Sequence, residues 1–194
     1  MKIFDIKKLD TALGLLNERL LLADAPEVKL VVCGGSALIA TGLVLRTTQD
    51  VDVLARLDGI GLVDPEPMPE YLVNAAEATG RSLGLPEDWL NCGPVDLFRM
   101  GLPPGLHERL ACKRIGEKLE VYYISRIDQI FFKLYAAVDR GGYHIDDLLK
   151  LVPTSDELLA AARWTMTHDV SEGFRMMLIE LLKELGFEDV GSRI

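Results

Sequence analysis

The sequence predicts an α/β protein, on three observations. The apolar run Leu30-Val31-Val32-Cys33 ends abruptly in Gly34-Gly35-Ser36, as a buried strand does when it stops in a tight turn. Asp50-Val51-Asp52-Val53-Leu54 sets two carboxylates against apolar residues at period two, the mark of a second strand. Around and after these strands, apolar residues recur at helical spacing, first over 5–23 and then through the last third of the chain.

Taken in order, Leu9, Ala12, Leu13, Leu16 and Leu20 form one stripe of a helix over 5–23, stopped by Asp24-Ala25-Pro26. The strand and turn follow over 28–36, and Ala37 to Leu45 reads as a short buried helix. After the strand that begins at Asp50, residues 56–69 carry Gly59, Gly61, Pro65, Pro67 and Pro69 with Asp58, Asp64 and Glu66. This composition predicts a loop near the strand's exit. Pro69 suits the first turn of a helix to about Thr79, with Tyr71, Leu72, Ala75 and Ala76 inward. Pro86 to Asn91 reads as a turn or short helical piece, and Val95-Asp96-Leu97-Phe98 as a short strand. Leu110 to Ile115 and Leu119 to Ile124 make a hairpin turning at Gly116-Glu117.

Ser125 caps a helix over 126–140 with Ile127, Ile130, Phe131, Leu134 and Val138 on its apolar side. Gly141-Gly142 breaks it, and His144 to Leu149 begins the next. Thr154 and Glu157 have capping-box spacing before a helix to about Thr167. Asp169 and Glu172 repeat that spacing with Asp as the cap. The last helix carries Phe174, Met177, Leu178, Leu181, Leu182 and Leu185 on one face. Residues 1–125 are therefore expected to form a core, and 126–194 a helical region packed on it.

The 194 residues carry a net charge of −9 with 49 % hydrophobic residues. That is ordinary for a globular protein with a sizeable core. The acidic balance argues against sequence-independent binding of nucleic-acid backbone, which needs Lys and Arg, and leaves room only for a locally basic cleft. Cys33, Cys92 and Cys112 fit neither a disulfide framework nor a zinc site. His107, His144 and His168 share no ligand spacing. No signal-peptide pattern opens the chain and no apolar run reaches membrane-spanning length, which predicts a cytoplasmic protein with no membrane partner.

The chemistry concentrates in 31–54. Asp50 and Asp52 on one strand face repel each other unless a divalent cation joins them, and Mg²⁺ is commonly held by one or two carboxylates plus substrate phosphates. Gly34 and Gly35 let the backbone approach a ligand closely, and the following helix offers N–H groups to an anion. Each half has a plain alternative: a Gly-Gly turn is common loop chemistry, and an Asp-x-Asp pair can be a solvated strand edge. Dinucleotide and P-loop motifs are absent: Gly34-Gly35-Ser36-Ala37-Leu38-Ile39 is not G-x-G-x-x-G, and no Lys-Ser or Lys-Thr follows.

Gly34-Gly35-Ser36, thirteen residues, then Asp50-Val51-Asp52 resembles the core motif of the nucleotidyltransferase superfamily, which has the polymerase β-like fold. Arg46-Thr47-Thr48-Gln49-Asp50-Val51-Asp52 is similar to the Arg-x-Thr-x-Asp-x-Asp version of the bacterial branch with AbiEii-type toxins and uncharacterised DUF6036-like proteins. The segment 133–173 resembles that branch too, and 56–118 does so only vaguely. The resemblance implies a mixed sheet flanked by helices, then a C-terminal helical part.

It also implies transfer of a nucleoside monophosphate from an NTP, with Mg²⁺ or Mn²⁺ at Asp50 and Asp52 and phosphate oxygens at Gly34, Gly35 and Ser36. Arg46 either neutralises phosphate charge or pairs with one of the aspartates. A third metal-linked carboxylate is expected on a later strand, where Asp96 ranks before Glu120; a plain loop aspartate is the alternative at Asp96. Lys133 either reaches the phosphates or snorkels from its helix. The acceptor stays open among RNA, protein and a small molecule. Two other functions stand beside the enzyme: an inactive nucleotidyltransferase fold serving as a binding or regulatory module, and the toxin of a toxin–antitoxin pair with an antitoxin partner.

Overall fold

The computed structural model describes residues 4–194. The chain divides into two compact units, Met1–Ser125 and Arg126–Ile194.

The first unit is built on a mixed sheet. Its strands are β1 (Val28–Cys33), β2 (Val51–Asp58), β3 (Gly61–Val63), β4 (Leu90–Asn91), β5 (Ala111–Arg114) and β6 (Leu119–Tyr123). They are ordered β3-β2-β1-β6-β5, and β4 pairs with β2 beside β3. β1 runs antiparallel to β2 and parallel to β6, β4 is parallel to β2, and β5–β6 is an antiparallel hairpin. Alternation sorts the faces. Val28, Leu30 and Val32 of β1, Val51 and Val53 of β2, and Leu119, Val121 and Tyr123 of β6 share one core with Leu9, Leu13, Leu16 and Leu20 of α1 (Ile6–Leu22). Leu72, Ala75 and Ala76 of α3 (Glu70–Leu83) join the same core. The alternate residues Lys29, Asp52 and Glu120 therefore look away from it.

Three local expectations are corrected here. The stretch expected as a loop over 56–69 continues β2 to Asp58 and returns as β3. Arg56 pairs with Val63 and Asp58 with Gly61, so Gly59 belongs to a tight hairpin turn rather than to an open loop. Val95–Met100, expected to begin as a strand, is helix α4. Pro94 occupies its N-cap. The helix α2 spans Gly34–Ala40, so it starts on the glycines and ends before Leu45, which is fully exposed.

Trp89 anchors the edge near β4. It is fully buried, its indole N–H donates to Ala76 O at 2.9 Å, and its ring lies 6.0 Å from that of Phe4. Its carbonyl accepts the Val51 N–H, while Phe4 and Thr48 exchange both backbone hydrogen bonds. The chain on either side of Asp50 is thus clamped by main-chain bonds.

The second unit is helical: α5 (Arg126–Arg140), α6 (Tyr143–Lys150), α7 (Ser155–His168), α8 (Glu172–Glu184) and α9 (Glu188–Gly191). The capping box of Thr154 and Glu157 is present at α7. Arg126 extends it, with its guanidinium 2.6 Å from Glu157 Oε1 and donating to the carbonyls of Leu151 and Val152. The cap of α8 is Ser171, not Asp169. Asp169 instead accepts the Ser171 N–H and holds the capping residue in place. Met177, expected on the buried face of α8, is about half exposed.

Lys133 does not snorkel. Its side chain is 6 % exposed, and its ammonium lies 2.8 Å from Asp147 Oδ2, on a side chain 1 % exposed. Removing one partner of a buried pair strands the other charge. Lys133→Ala should therefore cost about 3–5 kcal/mol in denaturant unfolding, and Lys133→Met with Asp147→Leu much less.

His168 packs between Trp164 and Tyr135, with ring centroids at 4.2 and 5.6 Å. Burial lowers its pKa. The unfolded chain then takes up the proton first, so this stability is whole above about 6.5 and is lost as pH falls from there towards the lower folded value. His168→Phe should flatten that part of the pH dependence, measured by denaturation on both sides of about pH 6.5.

Candidate functional site

The site is assembled where β1 ends and β2 begins. Cys33, the last residue of β1, pairs with Asp52. Gly34 follows at φ +67°, and a Cβ there would run into the Asp52 carboxylate. Glycine is thus required twice over, by conformation and by space. At Gly35 a Cβ would sit 2.5 Å from Thr48 Oγ1 and 2.8 Å from an Arg46 terminal nitrogen. Thr48 is 6 % exposed, and its hydroxyl donates to Asp50 Oδ1 at 3.3 Å. Asp52 therefore faces the first glycine, and Asp50 is linked through Thr48 to the second. The partly buried Arg46 sets a guanidinium against the same turn, with its Nη1 donating to Thr47 O at 3.2 Å.

Asn91 pairs with Asp52 across β4 and β2. Its amide oxygen accepts the Gly93 N–H at 2.7 Å. A Cβ at Gly93 would lie 4.0 Å from Asp52 Oδ1, so this turn forms a second wall of the carboxylate's surroundings. Thr48 stands in the Arg-x-Thr-x-Asp-x-Asp motif, whereas Asn91 and Gly93 were not singled out as site residues from sequence. The Asn-x-Gly-Pro turn signature over 91–94 was the available signal.

The remaining expected residues lie elsewhere or turn elsewhere. Ser36 is fully buried and its hydroxyl donates to the Cys33 carbonyl at 3.4 Å. Asp96 lies in the first turn of α4, 80 % exposed, 3.8 Å from Arg99. Glu120 pairs with Lys29 at 3.3 Å and accepts from the Tyr122 hydroxyl at 2.9 Å. These bonds, the tyrosine's first, hold its pKa below the usual carboxylate value. Its strand partner is Lys29, four residues before Cys33, which puts it about 13 Å down the strand from the turn. Among the described residues no group of three or more His, Cys, Asp or Glu is placed to hold a metal. The third carboxylate expected at Asp96 or Glu120 therefore does not join the pair. Lys133 belongs to the second unit, where it is bound to Asp147.

A family described as "Nucleotidyltransferase of unknown function (DUF6036)" has a model that matches residues 7–151. The chain belongs to this family. The match takes in the glycine turn, both aspartates and the helices α5 and α6. No curated protein and no solved structure matches the chain. No described helix is long and apolar enough to cross a membrane.

The space at Gly35 is already taken up by Thr48 and Arg46. Gly35→Val should overpack the turn and lower stability by about 1–3 kcal/mol in denaturant unfolding.

Proposed function

We propose that this nucleotidyltransferase-family chain transfers a nucleoside monophosphate from an NTP to an acceptor with release of pyrophosphate. The observation that carries the reading is the joining of both carboxylates to one glycine turn, Asp52 directly and Asp50 through Thr48. Phosphoryl-transfer chemistry asks the protein for positioning and charge neutralisation more than for covalent help. Gly34 and Gly35 let Asp52, Thr48 and Arg46 close in on one turn, where Arg46 would offset the charge of a triphosphate. Thr48 orients Asp50, and the main-chain clamps from Phe4 and Trp89 keep Asp50 in register.

The donor set fits a Mg²⁺ or Mn²⁺ ion shared between Asp50, Asp52 and the substrate's own phosphates, the usual manner of Mg²⁺. It does not fit an all-protein cage. When bound, such an ion neutralises the triphosphate. The acceptor oxygen or nitrogen bonds to the α-phosphorus as the α–β bridging bond breaks. Pyrophosphate departs with that electron pair, and the acceptor's proton passes to an aspartate or to water.

A second reading is favoured by one observation: no further acidic, His or Cys side chain gathers with the pair among the described residues. A binding module needs only the nucleotide, not the turnover. The two readings differ in pyrophosphate. We expect labelled NTP to yield pyrophosphate in a cell extract supplemented with the protein. Asp50→Asn with Asp52→Asn should abolish both the release and the Mg²⁺ dependence of nucleotide binding while the fold persists. Tight binding without release would favour the module. Unchanged Mg²⁺ dependence in the double variant would remove the aspartates from the site.

A further inference from the structure

The Asp52 carboxylate has a glycine beside each of its oxygens. A Cβ at Gly34 would run into Oδ2, and a Cβ at Gly93 would lie 4.0 Å from Oδ1. The first glycine opens the turn after β1. The second lies in the turn after β4, whose Asn91 is the strand partner of Asp52. Asp50 takes a hydrogen bond from Thr48. For Asp52 the β4 turn stands in the corresponding place.

Asn91 carries that turn on its side chain. Its amide oxygen accepts the Gly93 N–H at 2.7 Å, and its amide nitrogen donates to the Asp88 carbonyl at 3.2 Å. An asparagine is suited to this double task, since one planar group offers both an acceptor and a donor. The segment between is anchored from the core: Trp89 is fully buried, and its carbonyl accepts the Val51 N–H at 2.6 Å. The bond to Gly93 also explains the glycine, because a Cβ there would sit 2.9 Å from Asn91 Oδ1 and displace it. Asp52 looks away from the core, so its orientation depends on such neighbours. Groups that orient a metal-binding carboxylate commonly matter to ion affinity nearly as much as the carboxylate does.

We propose that Asn91 is a positioning residue for Asp52: by holding the Gly93 main chain beside Oδ1, it confines the carboxylate between two glycine turns, so that a Mg²⁺–triphosphate meets it already oriented. This rests on the nucleotidyltransfer reading and deepens it. In this role Asn91 acts through Gly93 and not on the ion itself. Its loss leaves Gly35, Thr48, Asp50 and Arg46 in place. The effect therefore falls on the metal dependence of nucleotide binding, and not on the contacts a nucleotide makes without metal.

The test titrates Mg²⁺ into the protein with fluorescent ATP or GTP and reads the Mg²⁺ concentration at half-maximal binding. Asn91→Ala should raise that midpoint about tenfold or more, with nucleotide affinity in a metal chelator unchanged. Asn91→Ser keeps a hydroxyl that accepts the same N–H more weakly, and should fall between wild type and Asn91→Ala. It also serves as the folded variant if the alanine change disturbs β4. Gly93→Ala attacks the same bond from its other end. The double variant should be no worse than the worse single one, because both act through one bond. An unchanged midpoint in the folded variants overturns the proposal. So does an equal loss of metal-free affinity, or a midpoint shift that adds in the double variant. Wild-type protein that binds no nucleotide, or binds it without regard to Mg²⁺, would instead defeat the nucleotidyltransfer reading, and this proposal with it.

Discussion

The antiparallel register that sets Cys33 opposite Asp52 is the constraint on which the site depends. It places the first residue of the turn, Gly34, against a carboxylate with no room for a side chain. A slip of one residue would turn every side chain of β2 to the other face. Val51 and Val53 would then leave the core and Asp52 would enter it. The cost of burying a carboxylate and exposing two valines therefore specifies the register, and the register specifies the site. Folding energy and site geometry are coupled through the same few residues.

That register is reinforced from outside the strand pair. Trp89 is held in place by its indole hydrogen bond and by Phe4, and it gives its carbonyl to Val51. Phe4 bonds both ways with Thr48. The stretch from Thr48 to the first residue of β2 is therefore tethered at both ends. Such tethering fixes the backbone that carries Asp50 against the turn that faces Asp52.

The two units handle charge differently. In the second, Lys133 and Asp147 neutralise each other in a nearly dry setting, where the desolvation cost is met by a short direct contact. In the first, Arg99, Asp64 and Glu66 pair at the surface, where solvent screening leaves little stability to be gained. Their consequence is local: two carboxylates hold the Arg99 guanidinium between the strand edge and α4.

The sequence alone determined the strand–turn–helix start, the Asp-x-Asp strand, the α1 stripe, the β5–β6 hairpin and the capping box of α7. Each is a local signal, set by period, turn chemistry or a contact three or four residues away. The family resemblance was legible for the same reason, since its motif is contiguous. Tertiary structure decided what local signals do not contain. Asn91 and Gly93 reach Asp52 only because β4 adds to the edge of β2. Asp96 was expected on a strand because Val95 to Phe98 satisfies strand and helix patterns alike, and the segment is helix α4 with Pro94 at its N-cap. Glu120 had suitable chemistry but stands at the far end of β1, a separation that appears only once the strands are aligned.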